Sequence, residues 1–220
     1  MNLKCIWTAA LFLLICTFVS DESLAAEGGA APYALLYQSL ERGNKISEFE
    51  LLIPVQRIAS KLPGVTPDRI EVEIRARQGT IAVPIAANGV AEFPLTPELL
   101  AENPLVYSNQ PKGTLSVSVS IEVAKPKTLQ WPYQQALAAM TQSEAALAKL
   151  EGLNGAYIAG LEVYFEDSQA QVSIRSSKRD ELLLPDALST VFIRRDPMLE
   201  KDAVVAFSSM PVRIVPLVRR

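Results

Sequence analysis

The sequence has no histidine, and its two cysteines, Cys5 and Cys16, both lie close to the N-terminus. Without histidine there is no Ser–His–Asp triad, no Cys–His pair and no histidine-ligated zinc. Glycine is also scarce, 10 residues in 220. Those present form no phosphate-binding loop, no dinucleotide fingerprint and no calcium loop. Charge is close to balance, with 21 basic and 24 acidic residues and a formal net charge of −3, which is not the footprint of a nucleic-acid binder. Beyond the N-terminus no apolar run approaches the roughly 20 residues of a membrane-spanning helix. The available chemistry is that of carboxylates, lysine, serine and tyrosine, and no metal or other cofactor is expected.

The N-terminus reads as a targeting segment. Lys4 precedes an apolar stretch from Ile6 to Val19, and Ser23-Leu24-Ala25 supplies small residues for a cleavage site. A signal peptide over 1–25 is expected, cut after Ala25, with Ala26 as the alternative. Export implies a periplasmic location. Both cysteines leave with the signal, so no disulfide is expected even in an oxidising compartment. The remaining chain of about 195 residues is long enough to bury one or two cores without staples.

Short alternating strands dominate that body. Ile70, Val72 and Ile74 alternate with Glu71, Glu73 and Arg75, and Leu115, Val117, Val119, Ile121 and Val123 alternate with serines and Glu122. This is the period-two pattern of half-buried antiparallel strands. Asn88-Gly89 marks a hairpin turn, and Thr96-Pro97-Glu98 starts a short helix. Pro132 followed by Tyr133 to Leu150 predicts a long helix closed by Gly152. Glu71-Val72-Glu73-Ile74 resembles Glu162-Val163-Tyr164-Phe165, and Tyr107 to Pro111 resembles Phe207 to Pro211. These matches predict a repeated unit. The expected fold is mainly β, with two tandem, similar, sandwich-like units of immunoglobulin-like or small-barrel type. The first, with its leader, spans 26–125, a helical connector 126–155 and the second unit 156–220.

The run Glu102-Asn103-Pro104-Leu105-Val106-Tyr107-Ser108-Asn109-Gln110-Pro111-Lys112-Gly113, with the Asn-Gly turn and Phe-Pro-Leu upstream, resembles a motif of uncharacterised exported proteobacterial proteins. The resemblance covers Val72 to Val123. It implies an envelope protein with a β domain, and it carries over no catalytic residue.

Three aromatic residues flank the long helix: Trp131, Tyr133 and Tyr157. They are the candidate binding residues, because aromatic rings can stack on sugars; packing of the helix on a sheet is the alternative. Paired carboxylates can hydrolyse glycosides, and Glu71 with Glu73 or Glu166 with Asp167 are the nearest pairs. Ser176-Ser177-Lys178 and Ser208-Ser209 bring serines together, with a lysine beside the first group. Arg75 with Arg77, Arg194 with Arg195 and Arg219 with Arg220 are basic pairs suited to anions or to guarding strand edges. The leading expectation is a non-catalytic periplasmic protein that binds or organises another envelope component, a protein or a glycan. A carbohydrate-binding module and a carboxylate-dependent glycoside hydrolase are the alternatives. Any partner is expected at the seam beside the helix or on an exposed strand edge.

Overall fold

The computed structural model describes residues 29–149, 155–199 and 201–219. The expected signal peptide, Cys5, Cys16, Gly152 and Arg220 lie outside them. The protein is mainly β, with antiparallel sheets, and none of the described helices is long and apolar enough to cross a membrane. The chain divides into two compact units. One comprises 29–45 with Pro54–Ser120, the other Ile46–Ile53 with the described part of Ile121–Arg220.

The first unit contains β1 (Ala30–Pro32), α1 (Tyr33–Asn44), most of β2 (Leu52–Ser60), β3 (Val72–Ala76), β4 (Gly79–Ala82), α2 (Pro97–Glu102), β5 (Leu105–Ser108) and most of β6 (Leu115–Val123). Its four-stranded sheet runs β1-β5-β3-β4, and β2 pairs with β6. Val72 and Ile74 are buried while Arg75 is exposed, as the alternation predicts. Each such aliphatic side chain contributes about 1.5–3 kcal/mol on burial. Tyr33, Leu36 and Leu40 of α1 join them in one core. The short helix forms where the sequence predicts it. The Thr96 side chain accepts the Leu99 N–H, Pro97 occupies the first turn, and Asn103 ends the helix in a left-handed conformation.

The second unit contains β7 (Gln130–Pro132), α3 (Tyr133–Ala148), β8 (Tyr157–Tyr164), β9 (Val172–Arg175), β10 (Asp180–Leu183), β11 (Thr190–Arg194), β12 (Val204–Phe207) and β13 (Arg213–Arg219). One sheet runs β10-β9-β12-β7 and the other β11-β8-β13. The four-stranded sheets of the two units thus share strand order and pairing. Val72 opposes Ser108 as Val172 opposes Phe207, and Ile74 opposes Ile81 as Ile174 opposes Glu181. In each unit a proline ends the first strand and a tyrosine begins the helix. Counterparts lie about a hundred residues apart over most of the unit.

That correspondence differs from the one the sequence matches predict. Glu71 to Ile74 fall on β3 and the residue before it, but Glu162 to Phe165 fall on β8 and the residue after it, at the centre of a different sheet. By order and register the counterpart of β3 is β9. Tyr107 is only half buried, and the residue at its place in the second unit is Ala206; the buried Phe207 stands where Ser108 does. Alternating apolar strands resemble one another in sequence wherever they sit in a sheet, so the matches aligned strands of different position. The helix expected as a connector over 126–155 belongs to the second unit, where α3 packs on β8 and β7. It matches α1 of the first unit. Each unit therefore carries a helix after its first strand, an element absent from the expected immunoglobulin-like or small-barrel architecture.

Candidate functional site

The three candidate aromatics do not form a platform. Trp131 is buried and stacks on Phe207 at 6.3 Å, and Phe165 packs tilted against Phe207 at 6.3 Å. Tyr133 is fully buried at the start of α3. Only Tyr157, 51% exposed at the start of β8, faces solvent. The stacking expectation is corrected for Trp131 and Tyr133: both rings meet the core, where burying their large apolar surface outweighs keeping it in water.

The Tyr133 hydroxyl has a different task. It donates to the Arg194 carbonyl at 2.8 Å and accepts the Asp196 N–H at 2.8 Å. Burial raises its pKa above the usual tyrosine value, which keeps the proton on the donating oxygen. The tyrosine thereby fixes the chain from Arg194 to Asp196, which forms one wall of a groove in the second unit. This groove has a volume of about 650 Å³. Leu182, Leu183 and Leu184 line one side, and Phe192, Arg194 and Leu199 another.

The backbone of β11 faces this groove at alternate residues. Phe165 donates to the Ser189 carbonyl and Arg195 to the Ala159 carbonyl, which sets the alternation of the β11–β8 ladder. Thr190, Phe192 and Arg194 therefore turn their backbone groups away from β8. Thr190 is satisfied by Asp186, and the Arg194 carbonyl by Tyr133. Between them, no partner among the described residues completes the Phe192 N–H.

The first unit closes the corresponding place with its own chain. There the Glu92 N–H donates to the Pro84 carbonyl at 3.0 Å, and Ile85 pairs with Ala91. The Ala86 N–H to Val90 carbonyl bond, 2.8 Å, recurs as Asp186 N–H to Thr190 carbonyl at 2.9 Å. The next rung is not repeated. Leu184 and Pro185 stand where Pro84 and Ile85 do, and Leu184 is 64% exposed. The groove lies where this rung is missing.

Its charges are arranged as unequally. Arg179 pairs with Glu181 at 2.5 Å and with Asp196 at 3.1 Å. Arg195 pairs with Glu144 at 2.5 Å. Arg194 is exposed and forms no ion pair among the described residues. In the first unit the same positions are Gly79, Ile81, Pro94 and Leu95 in place of Arg179, Glu181, Arg194 and Arg195. The common framework forms without those charges, so they are not a requirement of the fold.

The remaining candidates are dispersed. Glu73 pairs with Arg75 on its own strand, and Arg75 lies over the Tyr107 ring at 3.8 Å. Glu71 and Arg77 are exposed nearby. Asp167 accepts the Gln169 N–H in the turn beside exposed Glu166. Ser208 accepts the Gln171 N–H, Ser176 accepts the Lys178 and Arg179 N–H groups, Ser177 donates its N–H to Asp202, and the Ser209 hydroxyl is buried without a partner among the described residues. Arg219 is exposed and opposes Tyr157 in the ladder. Among the described residues no group of three acids could hold a metal. The sequence reading passed over buried Glu162, which accepts from the Tyr164 hydroxyl beneath the Arg213 guanidinium. It also passed over the groove, whose signal was the Leu182-Leu183-Leu184-Pro185 run ahead of Arg194-Arg195. No family model, curated protein or solved structure matches this chain.

Proposed function

We propose that this protein is a non-catalytic component of the cell envelope, exported by its N-terminal segment, and that it binds another envelope component. In this reading the chain is two copies of one β–α module, the first mainly structural and the second adapted for binding. The observation that carries it is the open groove at Leu184 and Phe192, at a place the first unit closes with its own Pro84. Apolar walls with a few placed polar groups are the usual make-up of a binding site. Glu181 and Asp196 also line the groove, but both engage Arg179, so neither is offered free to a glycoside. A sugar-stacking platform would need rings that are buried at Trp131 and Tyr133.

The test is photo-crosslinking in cells expressing the full chain, with a photoreactive residue at Leu184 or, as a control, at Pro84. A discrete adduct from Leu184 alone, in the envelope fraction, is expected. Absence of adducts from Leu184 and from Leu182, or retention of the chain in the cytoplasm, would overturn the proposal.

A further inference from the structure

We infer that the groove takes an extended peptide segment of a partner protein, seated as a short added strand with an acidic side chain on Arg194. This rests on the binding role proposed above and specifies the ligand. Three observations point to a peptide. Phe192 turns an unmatched backbone N–H toward the groove, and its counterpart in the first unit, Glu92, gives its N–H to a peptide carbonyl, that of Pro84. The first unit thus displays the occupied state, with its own chain as occupant. Next, β10 is the edge strand of its sheet and continues into Leu184, with Leu182 and Leu184 both largely exposed. An added strand places alternate side chains on such leucines while its backbone completes the hydrogen bonds. Finally, Arg194 contributes the one lining guanidinium without an ion pair among the described residues, beside the two arginines already matched by Glu181, Asp196 and Glu144. The charge complement is a carboxylate.

An apolar small molecule would bury the leucines but leave the Phe192 N–H unmatched, and an unsatisfied buried donor costs about 1–3 kcal/mol. A peptide satisfies both. Pro185 stands where Ile85 pairs with Ala91 in the closed first unit.

The experiment is selection of a random-peptide display library on the purified chain, with counter-selection on Arg194→Glu. Enriched sequences should carry apolar residues at alternate positions and one acid. A synthetic peptide of that consensus should shift the Phe192 amide resonance, slow its hydrogen exchange, and bind on the order of tenfold more weakly to Arg194→Glu. Exchanging the peptide acid for lysine should restore binding to that variant. Peptides that bind wild type and Arg194→Glu equally, or that leave the Phe192 amide unmoved, would overturn the inference. So would failure of any peptide to be enriched, or a concentration-dependent dimer that perturbs Phe192 without peptide. If Leu184 still crosslinks in cells while no peptide is selected, the binding role stands and the peptide inference alone falls.

Discussion

Tyr33 and Tyr133 make the same pair of hydrogen bonds, each to a segment just over sixty residues further along. The Tyr33 hydroxyl donates to Pro94 at 2.5 Å and accepts from Thr96 at 3.3 Å, as Tyr133 does with Arg194 and Asp196. In both units the sequence separations are 61 and 63 residues. Each tyrosine ties the start of its helix to the segment after its unit's turn at Gly89 or Ser189, both left-handed. Removing either hydroxyl leaves a backbone N–H and a carbonyl unmatched. Tyr33→Phe and Tyr133→Phe should each lower stability by about 1–3 kcal/mol, measured by urea unfolding. Only Tyr133→Phe should also loosen the groove wall, seen as faster amide exchange at Arg195 and Asp196.

The tyrosines also set an alkaline limit. Burial raises the pKa of Tyr33, Tyr133 and Tyr164 above the ordinary value of 10.0. Below that value both folded and unfolded chains are protonated, so the contribution is fully present. Above it the unfolded chain loses protons first, and stability falls as pH rises toward the folded-state values. Thermal melts should be flat in this respect through neutral pH and decline from about pH 10 upward. A midpoint that rises across that range would contradict the assignment.

Gly160, within β8, is fixed by the close approach of β11. A Cβ there would come within 2.3 Å of the Ile193 carbonyl oxygen and 3.1 Å of the Arg194 Cα. The contact is backbone on backbone, at a position where β8 and β11 side chains face each other without ladder bonds. Gly160→Ala should therefore destabilise by about 1–3 kcal/mol and displace Arg194. Equilibrium unfolding with an amide spectrum of β11 checks both effects.

The aromatic residues separate by burial. Trp131→Ala removes a ring stacked within the core and should cost about 3–5 kcal/mol. Tyr157→Ala removes an exposed ring and should change stability by no more than about 0.5 kcal/mol. Unfolding midpoints with an unchanged denaturant slope decide this. A neutral Trp131→Ala would show that its ring does not pack as described.

The sequence by itself determined the local elements. Alternation at Val72 and Ile74, the cap at Thr96 and the run after Pro132 specify strand, short helix and long helix through contacts a few residues apart. It also determined what chemistry is missing, since absent histidine cannot be supplied by folding. Strand partners were decided only in three dimensions. Glu71–Ile74 and Glu162–Phe165 share a pattern, but register is set by whole-sheet packing, which puts β3 in one kind of sheet and β8 in another. Burial of Trp131 and Tyr133 was decided there too, because whether a ring beside a helix end meets a sheet or water depends on residues far away in the chain. The groove is the clearest case. Leu184 and Phe192 are eight positions apart in sequence, as are Pro84 and Glu92, yet one pair is closed by a hydrogen bond and the other is open. The difference appears only in the hydrogen-bond pattern of the two folded frameworks.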